Sequence, residues 1–153
     1  MNRVAIDSDM IGMELKKVIL KFLKEKCVEF EDLDYLGTHP DLDYPDVAYN
    51  LSLKIQRKEF DRGILICGTG LGMAMCANKV KGVYAGACSD VYAAERLVKS
   101  NNAQILALGA LVTGTESAKN IVAAWLVSEF QGGCSLPKVQ RMNEIETEIF
   151  NKT

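Results

Sequence analysis

The chain has 153 residues, of which 48% are apolar and 25% are charged, and its formal net charge at pH 7 is −2. This length fits one domain, residues 1–153, with a sizeable core, and the small net charge gives no reason to expect nucleic acid or an anionic membrane as a partner. The sequence has no apolar run long enough to span a membrane and no basic-then-apolar signal pattern, so we expect a cytoplasmic protein.

Cysteine and histidine usage argues against a metal site. The five cysteines, at positions 27, 67, 76, 88 and 134, form no C-x-x-C pair. An odd count without pairing indicates free thiols in a reducing compartment. His39 is the only histidine, which excludes a histidine-rich metal centre or a catalytic triad built on several histidines. We predict neither a metal nor a cofactor.

Apolar periodicity predicts alternating strands and helices along the chain. The predicted strands are 3–6, 27–33, 63–66, 83–88 and 105–108. The predicted helices are 12–26, 44–55, 73–79, 90–99, a segment from 115 that ends at 131–133, and 139–150. We expect Asp90 to cap the fourth helix, Thr113 or Thr115 to cap the fifth, and residues 34–43 to form a polar loop. This alternation predicts a parallel sheet with helices on both faces.

The last predicted helix lies beyond the last strand, and its apolar side carries Val139, Met142, Ile145 and Ile149. It can pack on its own domain or on a second subunit. A helix appended to a small α/β domain has no part of the sheet left to cover, which favours the subunit interface.

A strand, a glycine-rich turn and a helix follow one another between Gly63 and Lys79. The strand ends at Cys67, and the turn contains Gly68, Gly70 and Gly72. This order brings backbone N–H groups together at a helix N-terminus, where anions and developing oxyanions bind. Ligands of parallel α/β sheets bind at the carboxyl ends of the strands, so Cys67 lies where a reacting group is expected. The spacing is neither a P-loop nor a dinucleotide motif, and a tight turn with a structural cysteine explains the local pattern equally well.

The chain resembles the ribose-5-phosphate isomerase B / galactose-6-phosphate isomerase family over nearly its whole length. The residues that carry the resemblance are Ala5-Ile6 with Asp9, Gly12 and Glu14-Leu15-Lys16; Asp43-Tyr44-Pro45; Asp61 to Gly70 with Gly72; Ala77-Asn78-Lys79; Ala107-Leu108-Gly109; and Glu129-Phe130 with Gly132-Gly133. The resemblance implies a Rossmann-like three-layer α/β/α fold with a five-stranded parallel sheet and an extra C-terminal helix. It also implies homodimers or homotetramers with active sites between subunits, and no metal.

The family interconverts aldose and ketose phosphates through an enediolate, which implies a role for each matching residue. Cys67 is the implied general base, and Thr69 relays to or hydrogen-bonds with its thiol. The amides of Gly68 to Gly72 and Asn101 stabilise the enediolate oxygen. The implied substrate-binding residues are Asp9, Met10, Tyr44, Gly68, Gly70, Leu71, Gly72, Ser100, Asn101, Cys134 and Lys138.

This sequence departs from the family pattern at the positions that bind the far end of the substrate. Met10 and Ser100 stand where the family has histidines, and the histidine at position 100 is the one that opens the sugar ring. Leu111 stands where the family has an arginine, Cys134-Ser135 stands where it usually has Arg-His, and Lys138 occupies the next arginine position. Lys138 and Arg141 can restore positive charge, or they can belong to a solvated helix face.

These departures leave three interpretations. The chain is an isomerase whose substrate differs from ribose 5-phosphate at its far end, or the cysteine-bearing subunit of a hetero-oligomer, or a sugar-binding homologue without catalysis. The intact cysteine loop and Asn101 argue against the third. His39 either replaces a lost proton donor or is an exposed loop residue, and Asp7, which stands where the family often has glycine, is expected to alter the pocket.

Overall fold

The strand that precedes the glycine turn is the central strand of a five-stranded parallel sheet in the computed structural model, which describes residues 3–152. The strands are β1 (Val4–Ser8), β2 (Phe30–Asp32), β3 (Arg62–Cys67), β4 (Ala85–Ala87) and β5 (Ile105–Gly109). Their order across the sheet is β2-β1-β3-β5-β4, and every pair is parallel. The helices are α1 (Met13–Glu25), α2 (Tyr35–Thr38), α3 (Tyr44–Gln56), α4 (Leu71–Ala77), α5 (Val91–Lys99), α6 (Thr115–Val127) and α7 (Leu136–Phe150).

Helices cover both faces of the sheet, as the three-layer prediction requires. On one face, Ile19 of α1 and Trp125 of α6 pack against the sheet in a cluster that includes Ile64 and Leu106. On the other face, α3 and α4 supply Leu51, Ile55 and Met73 to a second cluster with Leu65. Because both faces are covered, all six residues of β3 are buried, which explains why β3 reads as a continuous apolar run and not as an alternating one.

Several boundaries differ from those predicted, each for a local reason. β2 is shorter than predicted because Cys27 takes a left-handed conformation (φ 55°) in the turn after α1. The segment predicted as a loop contains α2. The residue before α6 is Gly114, and no side chain caps that helix, so the predicted threonine cap is wrong. The cap at Asp90 is confirmed, because its carboxylate accepts the Ala93 N–H at 2.8 Å.

The predicted end of α6 at 131–133 is also wrong. The helix ends at Val127, where the buried Arg62 guanidinium donates to the carbonyl oxygens of Trp125 and Ser128. Gly132 and Gly133, both with positive φ, instead form the turn that leads through a 3₁₀ segment (Gly133–Ser135) into α7.

The C-terminal helix is longer than predicted and is mostly exposed. Only Val139 of α7 is buried, while Ile145 and Ile149 remain accessible to solvent. Its Glu146 carboxylate accepts the Gly82 N–H, and its Asn143 accepts the Tyr84 hydroxyl. α7 is therefore tethered beside the start of β4 and leaves an apolar side open.

Within residues 3–152, no helix combines the length and hydrophobicity needed to cross a lipid bilayer.

Candidate active site

Cys67 lies at the carboxyl edge of the sheet, at the end of its central strand. It pairs with Gly109 of β5, and only 5% of its surface is exposed. The Gly70 N–H donates to Cys67 Sγ at 3.1 Å. The cysteine side chain is therefore held against the turn that follows it by a backbone N–H.

The turn after Cys67 needs its glycines for geometric reasons. Gly70 has φ +79°, a conformation that disfavours side chains. A Cβ at Gly72 would come within 2.6 Å of the Tyr44 ring, and a Cβ at Gly109 would lie 2.7 Å from the Thr69 carbonyl carbon. Tyr44 and β5 therefore hold the turn from both sides.

Two of the five amides between residues 68 and 72 already have acceptors. The Gly70 N–H donates to Cys67 Sγ, and the Leu71 N–H donates to Thr69 Oγ1 at 3.3 Å. Within the described part of the chain, no acceptor receives the N–H groups of Gly68, Thr69 and Gly72. These three amides are the ones left to bind an oxyanion, and Thr69 directs its hydroxyl to its own turn.

Asp9 follows the last residue of β1 and lies next to the carboxyl end of β3. Its N–H donates to the Ile66 carbonyl at 3.1 Å, and its Oδ1 accepts the Gly12 N–H at 2.8 Å. Burial raises the pKa of the Asp9 carboxyl, an effect that the N–H bonds from Gly12 and Ile11 oppose. A Cβ at Gly12 would meet the Ile66 carbonyl oxygen, so the turn that carries Asp9 is packed directly onto β3.

Asp7, which we expected to alter the pocket, is buried and anchors a neighbouring segment. Its carboxylate is fully buried, accepts the N–H groups of Ser8 and Tyr35, and lies 3.7 Å from Lys16 Nζ. Burial raises the pKa of Asp7. Burial works to lower the pKa of Lys16, but its hydrogen bond to Asp32 and the nearby carboxylates raise it. This network fixes the start of the 34–43 segment, which leads to Tyr44.

His39 lies on the same segment and is exposed. Its ring stacks on Tyr35 with centroids 4.2 Å apart, and its Nδ1 lies 2.9 Å from Thr38 Oγ1. Its contacts are therefore local to α2, which favours the interpretation of an exposed surface histidine over a replacement proton donor.

A cleft of roughly 210 Å³ opens beside the cysteine turn, lined by Thr69, Leu71, Ala87, Cys88, Ser89, Gly109, Val112 and Thr113. Burial, together with Asp90, raises the pKa of the Cys88 thiol to about 11. Cys88 is therefore protonated at neutral pH and is not a base for this cleft.

Apolar side chains surround the carboxyl edge. Met10 is 70% exposed and Leu111 is 76% exposed, and Leu71 is also largely accessible. In a single chain this rim faces solvent, which is costly for large apolar side chains.

The remaining predicted residues lie at the opposite edge of the sheet. Ser100 and Asn101 follow α5, just before β5 begins, and the Gln131 N–H donates to the Lys99 carbonyl at 3.1 Å. This bond holds the segment that carries Cys134 beside the end of α5, and Lys138 follows in the first turns of α7. β3 spans the distance between the two edges, and its five residue steps correspond to about 17 Å. One chain therefore does not bring Asn101 and Cys67 to the same small substrate.

Sequence reasoning missed one charged residue at this amino edge. Arg96 lies one helical turn before Ser100, and its Nη1 is 3.5 Å from Ser100 Oγ. The signal was available, because residues four apart on a helix share a face. Arg141, which was considered as a source of charge, is instead paired with Glu144 and Glu148 at 3.0 Å each.

Within residues 3–152, no group of three or more His, Cys, Asp or Glu side chains is arranged to hold a metal ion.

Comparison with known proteins finds relatives that match nearly the whole chain. A family model described as Ribose/Galactose Isomerase matches residues 4–144. The D-erythrulose-4-phosphate isomerase of Pectobacterium atrosepticum is 48% identical over 143 residues, which cover 94% of each chain. The ribose-5-P isomerase B of Listeria innocua is 45% identical over 144 residues, covering 94% of this chain and 97% of that one. Together with the fold, these matches define the class of protein: an α/β aldose–ketose isomerase that acts on sugar phosphates.

A solved structure agrees with these sequence matches. The ribose-5-phosphate isomerase B of Clostridium thermocellum superposes with a TM-score of 0.90 at 41% identity, covering 96% of this chain and 99% of that chain. The chain belongs to the ribose/galactose isomerase family, and the fold predicted from the resemblance is confirmed.

Proposed function

We propose that this chain interconverts the aldose and ketose forms of a four-carbon sugar phosphate. The observation that carries the proposal is the serine at position 100, where the resemblance implies a ring-opening histidine. Ribose 5-phosphate closes a five-membered ring through O4, and a proton donor must open it. In a tetrose 4-phosphate, O4 carries the phosphate, so no such ring forms and no donor is needed. The printed name of the Pectobacterium relative, D-erythrulose-4-phosphate isomerase, supports the same substrate class.

In the proposed reaction, the Cys67 thiolate removes the proton from C1 of the ketose. The electron pair moves into a C1–C2 double bond and the carbonyl oxygen gains negative charge, which gives an enediolate. The O1 hydroxyl proton moves to O2, the electron pair left on O1 forms the C1 carbonyl, and the Cys67 thiol returns its proton to C2, which gives the aldose. The free N–H groups of Gly68, Thr69 and Gly72 are placed to stabilise the charged oxygen, and buried Asp9 is placed to hold a substrate hydroxyl.

The same proposal requires two subunits for each site. Cys67 and Asp9 come from the carboxyl edge of one chain, while Ser100, Asn101, Cys134 and Lys138 come from the amino edge of its neighbour. The separation of the two edges within one chain supports this division. The exposed apolar rim at Met10 and Leu111, and the open apolar side of α7, give surfaces that a neighbour would cover.

Each chain carries both halves of the proposed site, so a closed symmetric pair of identical chains completes two sites. This favours a homodimer, or a tetramer of two dimers. The hetero-oligomer interpretation predicts instead that activity appears only after mixing with a related chain that carries the missing basic residues.

Proton exchange with solvent tests the proposal directly. Purified protein in deuterated water should incorporate deuterium into D-erythrulose 4-phosphate while forming D-erythrose 4-phosphate, as followed by NMR. Cys67→Ser should reduce both rates by about 10²- to 10⁴-fold, because the serine hydroxyl is a far weaker base. Cys27→Ser, at an exposed thiol, is the matched control and should leave both rates unchanged.

Two outcomes would contradict the proposal. If the Cys67→Ser variant exchanges deuterium into the substrate as fast as the wild type, Cys67 is not the base. If the wild type turns over ribose 5-phosphate as fast as the tetrose phosphate, Ser100 does not restrict the substrate to sugars that need no ring opening.

A further inference from the structure

Arg96 carries a guanidinium group that the fold leaves without an acidic partner. Its Nε is buried and makes no hydrogen bond. Its Nη1 makes one long contact, 3.5 Å to Ser100 Oγ, and its Cζ lies 5.8 Å from the centre of the Tyr92 ring. Among the residues that the structure describes, no carboxylate lies within 4.0 Å of this group. A buried guanidinium N–H without an acceptor is costly, and such groups call for an explanation.

Three other cations on this side of the molecule are already neutralised or used. Lys99 lies 3.2 Å from Glu95, and Arg141 is held by two glutamates. Arg62 donates to backbone carbonyls at the end of α6. Among the described residues, Arg96 differs from these three because its guanidinium has neither an acidic partner nor a carbonyl acceptor, and it differs from an exposed arginine such as Arg57 because its Nε is buried.

Arg96 lies on the same side of α5 as Ser100, one of the predicted substrate-binding residues. Tyr92, Arg96 and Ser100 recur at intervals of four along α5 and share one face of it. The N–H groups of Ser100 and Asn101 both donate to the Arg96 carbonyl, so these two residues are fixed onto the last turn of the helix that carries Arg96. Arg96 thus belongs to the amino-edge half of the proposed site.

We propose that Arg96 binds the phosphate of a substrate whose reacting carbons lie at Cys67 of the neighbouring subunit. This inference rests on the proposed function, because it takes from it a substrate with a four-carbon chain. In a tetrose 4-phosphate, only C3 and C4 separate the reacting C2 from the phosphate ester. The dianion must then be bound close to Asn101, and not at a more distant subsite. A guanidinium can donate two parallel hydrogen bonds to phosphate oxygens, and the Ser100 hydroxyl can donate a third.

The test measures anion binding separately from catalysis. Inorganic phosphate is titrated into the full-length protein by calorimetry, and is also used as a competitive inhibitor of turnover. Arg96→Gln should weaken phosphate binding by about 10- to 100-fold, the effect of losing a charge-assisted pair. It should raise KM for the tetrose phosphate by a similar factor with kcat much less affected, because the interaction is present in ground state and transition state alike.

Two further variants make the result specific. Arg57→Gln, at an exposed arginine after α3, is the control and should leave phosphate binding unchanged. Arg96→Lys keeps the charge but not the planar pair of donors, and should lose about 3- to 10-fold. Should Arg96→Gln fail to fold, as thermal unfolding would reveal, Arg96→Lys decides the question.

The outcomes separate this proposal from the proposed function. Phosphate affinity that is unmeasurable in the wild type, or unchanged in the Arg96 variants, overturns the assignment of Arg96. Phosphate affinity that falls as expected, in a wild type that does not isomerise tetrose phosphates, supports the anion site and overturns the substrate.

Discussion

The carboxyl and amino edges of the sheet are built in opposite ways. At the carboxyl edge, Cys67 and Asp9 are buried and held by backbone N–H groups, and their turns are packed so tightly that a single added Cβ would collide with the neighbouring backbone or ring. At the amino edge, Asn101 and Cys134 are exposed, and their segments are joined by a single backbone hydrogen bond between residues 131 and 99.

Under the proposed function, this difference separates the reacting groups from part of the substrate-binding surface. The buried edge then carries the proposed base, Cys67, and the amides of its turn. Ser100 and Cys134, two of the positions where this chain departs from its family, lie at the exposed edge, and we expect a change there to alter which substrate is bound without disturbing the reacting groups. Two further departures, Met10 and Leu111, lie on the apolar rim of the carboxyl edge.

Asn101→Ala should give the largest effect at the exposed edge. Loss of one oxyanion donor typically lowers kcat by about 10²- to 10³-fold, and the thermal midpoint should not change, because Asn101 is exposed. Steady-state kinetics and calorimetry measure the two quantities. Asn120→Ala, at an exposed position of α6, is the control. A large drop in the thermal midpoint of Asn101→Ala would show that the amino edge is structural, against the comparison above.

Gly109→Ala should damage the buried edge through its backbone. The added Cβ would lie 2.7 Å from the Thr69 carbonyl carbon, so the cysteine turn must shift. Overpacking of this kind costs about 1–3 kcal/mol of unfolding free energy, and kcat/KM should fall with it. Urea denaturation gives the free energy.

Gly114→Ala is the matched control for Gly109→Ala. No atom lies within 4 Å of the Cβ that would be added at Gly114, and its φ is −66°. A Gly109→Ala variant that is as stable and as active as Gly114→Ala would contradict the tight packing of the turn.

The smallest expected effect is the pH dependence contributed by Asp9. Burial raises the pKa of Asp9 above its ordinary 3.8, so the folded chain holds this proton more tightly than the unfolded chain does. As the pH falls from 7 through the folded pKa toward 3.8, the contribution of Asp9 to the unfolding free energy therefore rises. The unfolding free energy of the wild type should rise relative to that of Asp9→Asn over this range. A relative fall would show that the N–H bonds to the carboxylate outweigh its burial.

Much of the fold could be predicted because local signals were strong. The apolar runs at β3 and β5, the glycines after Cys67 and the cap at Asp90 each have one simple structural solution. The end of α6 could not be predicted, because it is set by Arg62, a residue more than sixty positions earlier that binds its last carbonyls. Short edge strands such as β2 also carry too little sequence to fix their boundaries.

The site could be predicted only in its local part. The cysteine turn is contiguous in sequence, so its position at the end of the central strand follows from strand-turn-helix order. The buried Asp7–Lys16 pair and the unpaired charge of Arg96 depend on which side chains meet in three dimensions. No periodicity in the sequence reports those contacts.

Subunit complementation tests the central claim, that each active site takes Cys67 from one chain and Asn101 from another. Cys67→Ser and Asn101→Ala chains are co-expressed, and mixed dimers form alongside the pure ones. Half of the dimers should be mixed, and each mixed dimer has one intact site, so the co-expressed protein should recover about a quarter of wild-type activity. Activity that stays at the average of the two separate variants would contradict the claim and place the whole site within one chain.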